Sequence, residues 1–180
     1  MKDILMKDLY RYEGEGCRKI MTKLKYIFFV PGFTYTYFFR MCQSGLGRAF
    51  FSVLLKITSY ITHIQIPPRT QIGEGLYIGH YGAIIINPGA VIGRNFSVAA
   101  GTLIGNAQGK NSGVPTIGDN VYMGRNAIVI GGIKIGNNVL IAPGAFVNFD
   151  VADNSIVIGN PGRIISRESS PTEKYMVYTV

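Results

Sequence analysis

A chain of 180 residues with 47% hydrophobic and 16% charged side chains is long enough to bury a core and too apolar to be a disordered tail. Its two cysteines, Cys17 and Cys42, exclude a disulfide-stapled miniprotein and a thiolate zinc cluster, and they point to a reducing compartment. The net charge of +8 is uneven, because residues 1–60 hold ten Lys and Arg against four Asp and Glu, while residues 61–180 hold eight against six.

Apolar residues up to about position 62 come in helical blocks, near 3–12, 18–29, 33–44 and 48–61, broken at Pro31-Gly32 and Gly45–Gly47. These blocks are basic and aromatic, with Tyr26, Phe28, Phe29, Phe33, Tyr35, Tyr37, Phe38 and Phe39 close together. The expected role is a helical cap whose aromatics form core. A basic aromatic surface for an anionic membrane face, an acidic polymer or nucleic acid is the competing reading. No apolar run reaches the ~20 residues needed to span a bilayer. The start, Met1-Lys2-Asp3, lacks a signal core, so export is not expected. His63 falls at the end of the last helix, where packing explains it.

The pattern then changes to a spacing of six. Ile66, Ile72 and Ile78 begin it; after a two-residue slip near Asn87-Pro88 come Ile92, Val98 and Ile104. An excursion over Asn106–Thr116 interrupts the run, which resumes at Ile117, Met123, Val129, Ile135, Ile141 and Val147. A period of six fits neither a helix nor a strand meander. It fits a solenoid in which each hexad is a short strand plus a turn, three hexads closing a triangular coil with aliphatic columns inside. Glycines next to the periodic residues suit positive φ or close backbone approach, and Asn95, Asn120 and Asn137-Asn138 suit left-handed turns. Residues 63–165 are read as this solenoid and 166–180 as a C-terminal tail, mobile over Ser166–Lys174.

Three segments resemble the hexapeptide-repeat acyltransferases, in the branch of serine acetyltransferase and the capsule and lipopolysaccharide O-acetyltransferases. They are Ile72-Gly73-Glu74-Gly75-Leu76-Tyr77-Ile78-Gly79-His80, the Gly101–Ile117 loop, and Gly159-Asn160-Pro161-Gly162-Arg163-Ile164-Ile165. The resemblance implies a mainly β fold, a left-handed parallel β-helix with an N-terminal helical region. It also implies acetyl-CoA as acyl donor, no metal, a homotrimer with sites between neighbouring solenoids, and a cytoplasmic location.

Acetyl transfer from a thioester to an alcohol needs a base for the hydroxyl proton, a held thioester and donors for the oxyanion. His80 matches the family's catalytic histidine. By the same resemblance, Gly124, Arg125, Ala142, Pro143 and Arg163 are the expected coenzyme-binding positions. Two departures bear on the acceptor. Gly79 stands where serine acetyltransferases have an aspartate before the histidine, so another acceptor, such as a backbone carbonyl, is expected to orient His80. Gly113 and Val114 stand where they have an Arg-His pair before the proline, which removes an anchor for a carboxylate. Asn87, Asn106, Gln108 and Lys110 offer neutral or singly charged contacts instead. The expected acceptor is therefore a hydroxyl of a sugar or polysaccharide precursor, with L-serine the alternative. A non-catalytic docking solenoid is the rival from another class. The basic N-terminal region leaves open a peripheral association with the inner membrane face. Nucleic acid is not an expected partner, since the repeat region is only +2 and poor in aromatics. A zinc enzyme on the same solenoid lacks its histidines, and no phosphate-binding glycine loop is present.

Overall fold

The computed structural model describes residues 2–45, 47–109 and 111–180. Four helices come first: α1 (Lys2–Glu13), α2 (Ile20–Phe29), α3 (Pro31–Ser44) and α4 (Arg48–Thr62), with a 3-10 turn over Gly14–Arg18 between α1 and α2. The breaks fall where expected. Pro31 occupies the first turn of α3, where its missing N–H costs nothing, and Gly45 ends α3 in the left-handed region. His63, also left-handed and exposed, closes α4 by donating its N–H to the Ser59 carbonyl.

From Ile64 the chain winds five coils of a triangular parallel β-helix. The first holds β1 (Ile64–Gln65), β2 (Gln71–Ile72) and β3 (Tyr77–Ile78). The second holds β4 (Ile84–Ile86), β5 (Val91–Ile92) and β6 (Ser97–Val98), and the third β7 (Leu103–Gly105), β8 (Thr116–Ile117) and β9 (Tyr122–Met123). The fourth holds β10 (Ile128–Ile130), β11 (Lys134–Ile135) and β12 (Leu140–Ile141). The fifth keeps β13 (Phe146–Val147), a bridge at Val151 and β14 (Ser155–Ile158), after which β15 (Arg163–Ser166) turns back antiparallel. Three faces result, ordered β1-β4-β7-β10-β13, β2-β5-β8-β11 and β3-β6-β9-β12-β14-β15.

The inward columns are the predicted hexad positions: Ile72, Ile78, Ile92, Val98, Ile104, Ile117, Met123, Val129, Ile135, Ile141 and Val147 are all buried. The register corrects one detail. Ile72 pairs with Ile92, twenty residues on, while Ile86 pairs with Ile104, eighteen on. The two additional residues therefore lie in the corner after Ile78, not near Asn87-Pro88, which makes an ordinary turn with Ala90 N–H donating to Asn87 O. Spacing alone misplaced the slip because β4 buries both Ile84 and Ile86. The seven residues beyond a normal coil in the third turn, where Ile92 pairs with Ile117, form the expected loop.

Most repeat glycines serve close approach. A Cβ on Gly93 would lie 2.7 Å from the Gly118 carbonyl group and one on Gly136 2.6 Å from Asp153 N, and neither has positive φ. On the edge between the second and third faces, the left-handed turns of the second to fifth coils are asparagines. Asn95, Asn120, Asn138 and Asn154 have φ of 54–56°, and the first three side-chain amides each donate to the side-chain carbonyl oxygen of the next at 2.9–3.0 Å. Asn120→Ala breaks this ladder and puts a Cβ residue without local hydrogen bonding at positive φ. The expected loss is about 2 kcal/mol of stability, read as a lower thermal midpoint by circular dichroism; an unchanged midpoint would deny the ladder a stabilising role.

The tail runs back over the third face, burying Thr172 and Met176, with the Tyr175 ring 5.0 Å from that of Tyr122. Val180 ends on the ladder, its N–H donating to Asn95 Oδ1 at 2.9 Å and its carbonyl accepting from Asn95 Nδ2 at 2.8 Å. In the first coil the ladder position is Gly75, and the Val180 backbone supplies what an asparagine there would have offered.

The helices close the open end of the solenoid with side chains. A first coil would leave backbone N–H and C=O groups without a neighbouring strand. Asp8 Oδ1 accepts from Gly75 N–H and Leu76 N–H, both at 2.8 Å. Arg40 donates to Ile72 O and Gly73 O at 2.8 and 2.6 Å while pairing with Asp8. Tyr35 serves both backbone groups of Ile66, and Tyr12 both of Ile78. Arg11 reaches Gly75 O and Ser97 Oγ, with its guanidinium pushed down to about 10 by burial. Burial likewise pushes the Tyr35 phenol up to about 12, so it stays protonated and can donate. The aromatic region thus divides: Phe33, Tyr35 and Phe39 are core, as expected, but Phe28 and Phe29 are exposed.

Candidate active site

The corner joining the third face to the first recurs once per coil. In the second coil it is residues 99–102, between the aligned positions Val98 and Leu103; in the first it is residues 79–84, between Ile78 and Ile85. The two additional residues push the first-coil corner out of the prism, carrying His80 and Tyr81 into solvent. The bulge is conformationally costly: Gly82 has φ +123° and Ala83, with a Cβ, φ +23°. Such a departure beside a histidine is the kind of local strain that collects at functional sites. Among the described residues nothing hydrogen-bonds to the His80 imidazole, and the orienting carbonyl expected in place of the absent aspartate is not found among them. Gly79 itself is exposed, and a Cβ there would touch only the Tyr77 ring.

The structure sorts the other predicted residues onto two edges of the prism. On the His80 edge, the corner of the third coil is Gly124-Arg125-Asn126-Ala127 and that of the fourth Ala142-Pro143-Gly144-Ala145. Arg125 and Pro143 are exposed, and Arg125 O accepts from Gly144 N–H at 2.8 Å. With coils about 4.8 Å apart, Arg125 lies about 10 Å and Pro143 about 14 Å along the axis from His80. The edge therefore offers a track leading away from the imidazole. Gly124 is buried, and a Cβ there would meet Pro143 N at 2.6 Å, so coil stacking requires this glycine. Arg163 is exposed just past the last corner of the same edge, at the start of β15.

Asn87, Asn106 and Gln108 belong to a different edge, between the first and second faces. Asn87 spends its Oδ1 on Gly89 N–H, whereas Asn106 and Gln108 are exposed. Lys110 lies outside the described residues. The loop is organised by its own backbone: Ala107 and Gly113 exchange N–H···O bonds at 3.1 and 3.2 Å, and Asn111 Nδ2 donates to Asn148 O at 2.6 Å. Val114 packs against the core. The positions that depart from the arginine-histidine pattern are thus a turn and a core contact.

Comparison with known proteins agrees with this architecture. The signature described as bacterial transferase hexapeptide (six repeats) matches residues 115–148. The serine acetyltransferase of Synechococcus elongatus is 36% identical over 117 residues, which are 64% of this chain and 48% of that protein. The chain spans about half the length of that curated relative. Among solved structures, a serine O-acetyltransferase from Brucella melitensis superposes with a TM-score of 0.77 at 24% identity, over 93% of this chain and 68% of that one. The Neisseria gonorrhoeae serine acetyltransferase in complex with serine gives 0.74 at 28% identity, over 90% and 68%. Repeat, coil and these similarities together show a hexapeptide-repeat left-handed β-helix similar to that of serine acetyltransferases.

Proposed function

We propose that the chain transfers an acetyl group from acetyl-CoA to a hydroxyl, with His80 as general base. The observation that carries this reading is one solvent-facing imidazole on a widened corner, sharing an edge with the exposed Arg125 and Pro143. In the reaction His80 takes the acceptor hydroxyl proton as the oxygen attacks the thioester carbonyl. Backbone N–H groups of adjoining coils stabilise the tetrahedral oxyanion. Its collapse breaks the C–S bond, and the coenzyme thiolate leaves with the proton held on the imidazolium. The acyl donor's arm follows the edge towards Pro143, and Arg163 meets its phosphates.

The acceptor reading moves from the saccharide to L-serine as first choice, because relatives over the repeat region are serine acetyltransferases and a structural neighbour holds serine. A neutral hydroxyl acceptor remains the second reading. Two observations favour it: no carboxylate precedes His80, and Gly113 is tied into the loop's backbone while Val114 packs on the core. Thiol release from acetyl-CoA with serine, hexoses, nucleotide sugars and polysaccharides separates the two. Selective turnover of serine supports the first reading, selective turnover of a sugar the second, and no turnover with any alcohol despite coenzyme binding would defeat both.

The proposed site is one assembled between copies of the chain in a closed homotrimer, a reading supported by the placement of His80 and the Asn106–Gln108 loop on different edges of one prism.

A further inference from the structure

Two of the four helices turn apolar faces to water. α2 buries no residue, and Ile20, Leu24 and Phe28, four apart, line one side of it, with Phe28 68% and Phe29 79% exposed. On α4, Phe50, Val53, Ile57, Tyr60 and Ile61 recur at steps of three and four, with Tyr60 and Ile61 each 71% exposed. The opposite side of α4 buries Leu55, Thr58 and Thr62. Exposed apolar stripes of this size call for an occupant.

Charge identifies it. Between Glu15 and Glu74 the sequence has no acidic residue, yet this stretch carries Arg18, Lys19, Lys23, Lys25, Arg48, Lys56 and Arg69 besides the buried Arg40. Lys19 and Lys25 on or beside α2, and Arg48 and Lys56 on α4, are exposed. Glu15 pairs with Arg18 at 3.0 Å and Glu13 accepts from Tyr26 of α2, so self-docking of such a face sets the remaining lysines and arginines mainly against one another. An anionic bilayer surface complements both features, accepting aromatic and aliphatic side chains at the headgroup boundary while its phosphates meet the lysines. Among the described residues no helix is long and apolar enough to cross a membrane, so the helices would lie on the surface. We infer that the exposed apolar and basic faces of α2 and α4 dock on anionic phospholipid bilayers. This inference is independent of the acetyl-transfer reading.

The test is co-sedimentation of the full chain with phosphatidylcholine vesicles, with and without phosphatidylglycerol. Binding is expected only to the anionic vesicles and is expected to weaken with salt. Each lysine replaced in Lys19→Gln, Lys23→Gln and Lys25→Gln should lower the partition coefficient about fivefold. Phe28→Ser with Phe29→Ser, or Ile57→Ser with Ile61→Ser, should abolish binding without lowering the thermal midpoint, since these side chains are exposed. No binding to anionic vesicles at low salt, or equal binding to neutral ones, would overturn the inference. So would a larger assembly of the wild-type chain that Ile57→Ser with Ile61→Ser dissolves, because the face would then be covered by a second copy.

Discussion

His80→Ala is expected to lower acetyl-transfer turnover by about 10²- to 10⁴-fold, the usual contribution of a positioned general base. The side chain is exposed and makes no hydrogen bond among the described residues, so its loss should leave folding unchanged. The Michaelis constant for acetyl-CoA should change little, because the proposed donor track lies further along the edge, at Arg125 and Pro143. Steady-state kinetics beside a thermal melt checks both halves. A folded His80→Ala protein with near-normal turnover would remove the imidazole from the reaction. A protein that loses activity only because it unfolds would show that the widened corner needs the histidine for structure.

Arg40→Leu should give the largest loss of stability of any single substitution in the cap. Arg40 and Asp8 are 1% and 0% exposed and meet at 2.8 Å. Removing the guanidinium leaves a buried carboxylate without its counter-ion, a loss of about 3–5 kcal/mol. For a domain of this size that is roughly 6–20 °C in the thermal midpoint. Burial already pushes the Asp8 carboxyl up from its ordinary value, against Arg40 and two backbone donors. Replacing both partners with leucine often rescues an isolated buried pair. Here it should not, because Gly75 N–H, Leu76 N–H, Ile72 O and Gly73 O all depend on these two side chains. A double variant as stable as the parent would reduce the cap to ordinary apolar packing.

The repeat was legible because a period of six puts one aliphatic side chain per face on the inside, and the columns formed at those residues. The shared edge of His80, Arg125 and Pro143 was implicit in the same count, once the additional residues are assigned to the right corner. That assignment failed because both ends of β4 are isoleucine and buried, so spacing could not say on which side the slip lay. The helical cap was expected from its aromatics, but its polar bonding to the first coil was invisible for another reason. Asp8, Arg11, Tyr12 and Arg40 look like solvated helix residues, and only the meeting of helix and coil turns them towards stranded backbone groups. The docking of the tail was not legible because Ser166–Lys174 is polar, while the anchor of Val180, Asn95, sits 85 residues away. Handedness is not encoded in a spacing at all.

Stacked parallel strands would in principle recruit further strands without limit, as amyloid does. Here each end is finished. At the start, helical side chains occupy the sites where another coil would bond. At the finish, Gly162 N–H donates to Phe146 O, and β15 reverses along β14. The column is therefore a closed object of fixed length, protected against growing into fibrils by end-to-end addition despite its aliphatic, β-rich interior.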